Sequence, residues 1–488
     1  MKFTWQLSNQ LQKIKDALKN LSVAHDDKIQ LPHVLNKTIL REYDVRGVFE
    51  ENLFEEDAYN IGRAFGTYMI RKNLKKLCVG RDCRNSSYIL DRNLRKGLRD
   101  SGVEVILLGV CHTPMMYYTV NKLKLDAGIM VTGSHNLPNC NGFKFMIGMD
   151  PFYGDDIQLL GDMIEREDFC DGVGREMVLN KIFKNYISDI LDGFNFSDDL
   201  KVVWDIGNGA TSRAIKAITS LIPGKHHLLF EEMDGNFPNR APDPTVAENV
   251  KYLSAFVINN NFDIGFGFDS DGDRLCVVDS KGNILYSDQV LEVFARDFLK
   301  KNPAAQVVAG VKCCNRLFDV IRECGGIGIM EKVGHSFIKM RMKSSGALLA
   351  GEMSGHFFFK DRWYGFDDGI YAALRCLEIV SANKDAFNNL PYGFVTPEIR
   401  IPCDQKVDVI DYVKERLNAE QISFSEIDGV RVSMEYGWWL IRSSNTQNAL
   451  SLRIEAYQKK YMPIIKSELS EMLSRYVPEI AEFLGNDQ

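Results

Sequence analysis

The sequence has no CxxC pair: its eleven cysteines are scattered, and only Cys313 and Cys314 are adjacent. That spacing argues against a zinc site or a disulfide framework, and for a reducing compartment in which the thiols serve as small buried apolar groups. No apolar run approaches the length of a membrane span, and the opening MKFTWQLSNQLQKIKDALKN lacks the uninterrupted apolar core of a secretory signal. A cytoplasmic location is expected. The 14 prolines and 38 glycines form no low-complexity tract, so no long disordered segment is expected. Basic charge is not in excess either. With a net charge of −7, no general affinity for nucleic acid or an anionic membrane is expected, and an anionic ligand must be met by local basic groups. Three familiar motifs are missing as well. There is no GxxxxGK[ST] phosphate loop and no GxSxG elbow, and Ser270 stands where GFGFDS would need the third glycine of a dinucleotide fingerprint.

What is present is an ordinary globular composition, 45% apolar and 26% charged over 488 residues. At about 100 to 200 residues per domain, that length predicts three or four domains. Short β-rich runs alternate with amphipathic stretches, as in KKLCVGRD, SSYILDRNLRKGLRDSG and VEVILLGV, which predicts parallel α/β layers. The unit recurs at LKVVWDIGNG and QVVAGVK, though without the self-similarity of a solenoid. Beyond about residue 400 the pattern changes to IRIPCD, a helix around DVIDYVKERLNAE, the strands GVRVSMEYGWWLIRSS and ALSLRIEA, and a last helix from Tyr461 to Leu473 with Pro463 in its first turn. This reads as a separate α+β domain. At the other end, Trp5, Leu7, Leu11, Ile14 and Leu18 have helical spacing, fitting a plain surface helix or an arm that packs on a neighbour.

Four stretches carry chemistry. In FGFDSDGDRL, Asp269, Asp271 and Asp273 are spaced two apart after a strand-like run. Carboxylates so close repel one another unless a cation sits among them, and an all-oxygen set suits magnesium. A calcium EF-hand fails because Arg274 and Ser280 occupy its sixth and twelfth positions; a solvated acidic turn is the bland alternative. In TGSHNLPNCNGFK, Ser134 and His135 follow the apolar DAGIMV and Lys144 lies ten residues on, so a hydroxyl nucleophile, a base and a cation could share one site. Each of these residues alone would more often be a loop or surface group. In GEMSGHFFF, Glu352, Ser354 and His356 alternate and would share one side of an extended segment suited to recognising hydroxyls. In RSSNTQNALSLRIEA, Arg442 precedes Ser443, Ser444, Asn445 and Thr446, a set that can hold a phosphate or simply build a turn. REYDVRG, with Arg41 and Arg46 around Tyr43 and Asp44, says nothing on its own.

Together, TGSHN with NGFK, DSDGDR, GEMSGH and RSSNT resemble the α-D-phosphohexomutase superfamily, and within it the bacterial phosphomannomutase/phosphoglucomutase branch. VKCCNRL, carrying Lys312, and VGHSFIK, carrying His335, agree with it. The resemblance runs from about Thr38 to Glu455. It implies a four-domain, heart-shaped α/β architecture: three related α/β domains with mixed sheets and a C-terminal α+β domain similar to the TATA-box-binding fold, around a central cleft. The expected boundaries are an N-terminal arm at 1–36 and domains at 37–178, 179–283, 284–396 and 397–488.

The implied reaction is reversible transfer of a phosphoryl group between the 1- and 6-positions of mannose or glucose phosphates. It would proceed through a phosphoserine at Ser134 and a hexose 1,6-bisphosphate, which also serves as activator. One magnesium ion would be held by Ser134, Asp269, Asp271 and Asp273. Lys144, Arg46, His135 and His356 are the implied acid–base candidates, Lys144 and Arg46 being favoured, and lysine needs a lowered pKa to act as a base. Tyr43, Arg274, Lys312 and His335 would bind substrate; Glu352 and Ser354 would hold sugar hydroxyls; Arg442, Ser444, Asn445 and Thr446 would hold the far phosphate. A monomer or weak homo-oligomer acting on small molecules, in the service of nucleotide-sugar synthesis, is expected. Leu137 after SHN, and Gln447 and Asn448 after SNT, depart from the family's prolines and would loosen those loops. A phosphoglucosamine mutase, a non-catalytic sugar-phosphate binding module and a metal-dependent phosphatase are the competing readings.

Overall fold

A computed structural model of the chain describes residues 34–444 and 448–485. The helix expected over residues 5–20, together with Asn445, Thr446 and Gln447, lies outside the described residues. Four sheets follow one another along the chain. The first runs in the order Val45–Val48, Cys140–Ile147, Ala127–Val131, Lys76–Arg81, Glu104–Val110, Glu176–Val178, with Asp150–Pro151 paired to Cys140–Ile147. The second runs Ile284–Leu285, Leu275–Val278, Ile264–Phe268, Lys201–Asp205, Lys225–Leu229, and the third Ile327–Glu331, Gln306–Gly310, Leu349–Gly351, Phe357–Phe359. All three are mixed. The fourth, built from Phe394–Val395, Ile399–Pro402, Val430–Met434, Gly437–Ser443 and Ala449–Ala456, is wholly antiparallel.

The first three sheets share a device that sequence similarity alone did not expose. In each, a buried strand parallel to its neighbour ends in a short polar loop, and the chain returns antiparallel beside it. Ala127–Val131 returns as Cys140–Ile147, Ile264–Phe268 as Leu275–Val278, and Leu349–Gly351 as Phe357–Phe359. The outgoing strands AGIMV, IGFGF and LAG are buried at every position, as parallel strands covered on both faces require. The loops therefore leave the carboxyl ends of rigid strands, where α/β sheets place ligands.

Apart from a small cluster in which Trp438 and Leu440 pack on Val311, the last unit has a core of its own. One cluster of buried side chains runs from Cys78 to Phe387, and another from Ile401 to Leu484. The change of pattern near residue 400 is thus a change of core. The last long helix spans Met462–Leu473, with Pro463 in its first turn as expected. All eleven cysteines are free, and six are buried. No described helix is long and apolar enough to cross a membrane.

Candidate active site

The loop after Ala127–Val131 holds Ser134 with φ 48° in the left-handed region, which an L-residue adopts only when its surroundings impose it. Arg84 imposes it. Its guanidinium is buried and paired with Asp82 at 3.0 Å, and it donates to the carbonyls of Ser134 at 2.5 Å, Asn136 at 2.7 Å, Leu137 at 2.5 Å and Cys140 at 3.1 Å. Ser270 Oγ adds a second donor to the Ser134 carbonyl at 2.6 Å, and the Ser134 amide donates to Thr132 Oγ1 at 2.8 Å. Gly133 is needed here, because a Cβ would lie 2.6 Å from Arg84 Nε. Neither Arg84 nor Asp82 was singled out from the sequence, although DCR directly after the strand LCVGR was a visible signal.

The loop after Ile264–Phe268 lies against this serine. Ser134 Oγ donates to Asp269 Oδ2 at 2.9 Å and is 3.3 Å from His135 Nδ1. Asp269, Asp271 and Asp273 are fully buried, with one oxygen of each within 4.8 Å of the others. Lys144 reaches them because Cys140–Ile147 runs back along Ala127–Val131. Gly142 permits this close packing: a Cβ there would meet the Val45 carbonyl at 1.9 Å. Lys144 Nζ donates to Asp271 Oδ2 at 2.8 Å and also to Asp273. Thr113, a residue the sequence analysis passed over, donates to Asp271 Oδ2 at 2.5 Å. One oxygen each of Asp271 and Asp273 is buried without a hydrogen bond.

These contacts set the charges. Burial and the two neighbouring carboxylates push Asp269 well above the usual carboxylate range. Burial works the same way on Asp273, but Lys144 and His356 outweigh it and hold the group well below that range. Burial alone would lower the Lys144 ammonium; Asp271, Asp273 and Asp269 reverse this and raise it. With the aspartates free of metal, these partners favour the charged form of Lys144. Burial, followed by the positive charges of Arg274, Arg46 and Lys144, keeps His135 well below its ordinary value and so neutral.

The third loop corrects one expectation. Residues 352–356 are not extended; they form a turn between Leu349–Gly351 and Phe357–Phe359, with Gly355 at φ 87°. Glu352, Ser354 and His356 still meet, because the turn folds them together. His356 Nδ1 is 2.9 Å from Ser354 Oγ and 3.2 Å from Glu352 Oε2, while Glu352 Oε1 accepts from the Gly334 amide at 2.7 Å. His356 Nε2 lies 3.4 Å from Asp273 Oδ1, tying this loop to the acidic one. His335, at the start of the helix His335–Ser345, and Tyr43 have ring centroids 6.2 Å apart, and the Tyr43 hydroxyl donates to the Val333 carbonyl at 2.6 Å.

All of these loops, with residues of the fourth sheet, face one cavity of about 400 Å³. Ser134, His135, Lys144, Tyr43 and Arg46 line it from the first sheet and its flank. Arg274 enters from the second, and Lys312, His335, Glu352, Ser354 and His356 from the third. Arg442 and Ser444 come from the fourth, while the three aspartates lie beneath Ser134 and Lys144. The cavity has a cationic end, where Lys312, Arg400 and Arg442 approach, and a metal-type end at the aspartates. Arg46 is paired with Asp44 and Arg442 with Asp428, partners the sequence analysis did not assign.

Comparison with known proteins follows the same division of the chain. Family models described as phosphoglucomutase/phosphomannomutase alpha/beta/alpha domains I, II and III match residues 37–169, 184–282 and 286–391, and the model of the C-terminal domain matches residues 398–471. A phosphomannomutase/phosphoglucomutase of Pseudomonas syringae pv. tomato is 43% identical, covering 92% of this chain and 97% of its own. A phosphoglucomutase of Neisseria gonorrhoeae is 41% identical, covering 86% and 94%. The crystal structure of a phosphoglucomutase/phosphomannomutase family protein from Burkholderia thailandensis superposes with a TM-score of 0.85 at 38% identity, covering 91% of this chain and 99% of that one. With four consecutive domain models matched and relatives above 40% identity over most of its length, the chain belongs to the phosphoglucomutase/phosphomannomutase family, with the four-domain α/β architecture of its members.

Proposed function

We propose that the protein is an intramolecular phosphotransferase that interconverts the 1- and 6-phosphates of glucose and mannose through a phosphorylated Ser134 and a hexose 1,6-bisphosphate. The observation that carries this reading is the single cavity with a serine hydroxyl on an acidic cluster at one end and three cations at the other. A sugar phosphate spans such a cavity with its phosphate on the cations and its free hydroxyl towards Ser134. Arg442, Ser444 and Lys312 take the phosphate, together with Asn445 and Thr446, which follow Ser444 in the sequence. Tyr43 and His335 flank the sugar, while Glu352 and Ser354 hold hydroxyls present in both orientations. Domain boundaries near 178, 283 and 396, after the arm at 1–36, assign one loop to each domain.

The acidic cluster fits magnesium, since its donors are all oxygens and two buried carboxylate oxygens have no hydrogen-bonding partner. Asp269, Asp271, Asp273 and Ser134 would hold the ion, which supplies positive charge against the phosphoryl oxygens. Phosphorylated Ser134 carries about −1.5 to −2 charge. Lys144, protonated beside Asp271, meets that charge from the protein side, and Arg46 and Arg274 border the same region. In transfer, the bond from Ser134 Oγ to phosphorus breaks and a bond from the sugar oxygen forms. The sugar hydroxyl gives up its proton, and Ser134 Oγ regains one when the cycle leaves it free. The candidates for moving that proton are Lys144 and Arg46, with His135, whose Nδ1 is 3.3 Å from Ser134 Oγ, and His356. The bisphosphate then turns over and returns its other phosphate to Ser134. The reading includes cytoplasmic work on free hexose phosphates as a monomer or weak homo-oligomer.

A coupled assay of mannose 1-phosphate, glucose 1-phosphate and glucosamine 1-phosphate, with magnesium and a trace of hexose 1,6-bisphosphate, tests this. Both the mannose and glucose substrates are expected to give 6-phosphates. Turnover of glucosamine phosphate alone would move the protein to the glucosamine branch, and release of free phosphate without isomer would make it a phosphatase. Asp271→Asn is expected to lower turnover by ~10²-fold or more, the scale of losing one aligned electrostatic group. The same variant should need more magnesium for half-maximal rate, and chelation should reversibly silence the wild type.

A further inference from the structure

At the cationic end of the cavity a carboxylate of the protein itself occupies the binding groups. Glu398 lies between Phe394–Val395 and Ile399–Pro402. Its Oε1 accepts from both Lys312 Nζ and Ser451 Oγ, and its Oε2 lies 3.6 Å from Arg400 Nη2. Strand register assembles these groups: Ser451 is the cross-strand partner of Arg400 on one side and of Arg442 on the other. Arg442 in turn donates through Nε to Asp428 Oδ2 at 2.8 Å, and its Nη2 is buried without a hydrogen bond. The side chains of Lys312 and Arg442 are 14% and 5% exposed and that of Glu398 29%, so these charges act on one another with little screening by water. Burial would raise the Glu398 carboxyl, but Lys312 and the Ser451 hydroxyl hold it down at about 2, so it is ionised under all ordinary conditions.

Three cations and two carboxylates leave this end with one net positive charge. A phosphate dianion added to it would reverse the sign, unless one carboxylate withdraws. Asp428 is fixed from behind by the Val333 amide at 3.0 Å as well as by Arg442. Glu398 is the more exposed of the two, and both Lys312 and Glu398 line the cavity. We propose that Glu398 is an internal competitor for the phosphate-binding end: it holds Lys312 and Ser451 when no phosphate is there, and must be displaced each time one binds. The inference rests on the assignment of this end to the substrate phosphate. Its consequence is selectivity. A free anion gains Lys312 only against Glu398, whereas a sugar phosphate also engages Glu352 and Ser354 and can overcome that opposition. The same competition loosens a bisphosphate, which has to release this end in order to turn over.

The test compares wild type with Glu398→Gln and Ser451→Ala, using inorganic phosphate as the probe, by calorimetric binding and by competitive inhibition of mutase activity. Glu398→Gln is expected to tighten phosphate roughly tenfold, the scale of removing one charged hydrogen-bonding rival, to lower KM for glucose 1-phosphate, and to leave kcat no higher. Ser451→Ala, which frees Glu398 of one donor while leaving its charge, should shift both constants the same way by less. Weaker phosphate binding and a raised KM in Glu398→Gln would overturn the proposal, because Glu398 would then be orienting Lys312 for the ligand. Unchanged constants in both variants, with melting temperatures as in the wild type, would also overturn it. Tightened phosphate binding in a protein that isomerises no hexose phosphate would keep Glu398 as competitor and reject the proposed reaction.

Discussion

Ser134→Ala is expected to leave a folded protein that binds hexose phosphates and turns over none of them, with a loss on the order of 10⁴ to 10⁶ in kcat, the scale of deleting a covalent nucleophile. The fold should survive because the hydroxyl is not what holds the loop. The backbone of residue 134 is fixed through its carbonyl by Arg84 and Ser270 and through its amide by Thr132, and alanine keeps all three bonds. Two readouts check the result: intact mass after incubation with glucose 1,6-bisphosphate, where wild type should gain one phosphoryl group and the variant none, and calorimetric binding of glucose 1-phosphate. A variant that turned over at more than a hundredth of the wild-type rate would remove Ser134 from the reaction.

Arg84→Met is expected to give the largest loss among residues that touch no substrate. The guanidinium satisfies four loop carbonyls and neutralises the buried Asp82, whose carboxylate otherwise accepts only from neutral groups such as Thr132 Oγ1 at 2.8 Å and the Gly133 amide at 3.2 Å. Removing it leaves an uncompensated buried charge, at a cost of about 3–5 kcal/mol. It also releases the left-handed backbone at Ser134. Displacement of the nucleophile by about 1 Å is worth ~10²-fold in rate. Because the four domains need not unfold together, hydrogen exchange is the sharper measurement. Peptides covering residues 132–144 should exchange faster, and those of residues 398–471 should not. Arg84→Lys keeps the charge but not the fork of donors, so it should recover stability more than rate. Equal protection of residues 132–144 in the wild type and Arg84→Met would reject the role assigned to this side chain.

The site was legible in the sequence where its chemistry is local. Asp269, Asp271 and Asp273 are neighbours in the chain, and Ser134 and His135 are adjacent, so a strand followed by a polar loop already brings each group together. The α/β class and the separate C-terminal unit were legible for the same kind of reason: continuous apolar strands and amphipathic helices are written over five to fifteen residues, and the change of core at residue 400 changes that pattern. Glu352, Ser354 and His356 met as expected but by a different route. Alternation predicts a shared side only for a strand, and Gly355 turns the segment instead.

What the sequence by itself determined is the family, the candidate groups and the loops that carry them. Tertiary structure decided how those groups behave. Asp271 and Asp273, more than a hundred residues away, outweigh burial and raise the Lys144 pKa; Arg84 matters because the loop whose four carbonyls it satisfies begins some fifty residues later; Glu398 is a rival for phosphate because two strands and a neighbouring domain bring Ser451, Arg400 and Lys312 to it. Burial and charge depend on what lies within a few ångströms, and in a chain folded into four domains around one cavity those neighbours come from all parts of the sequence.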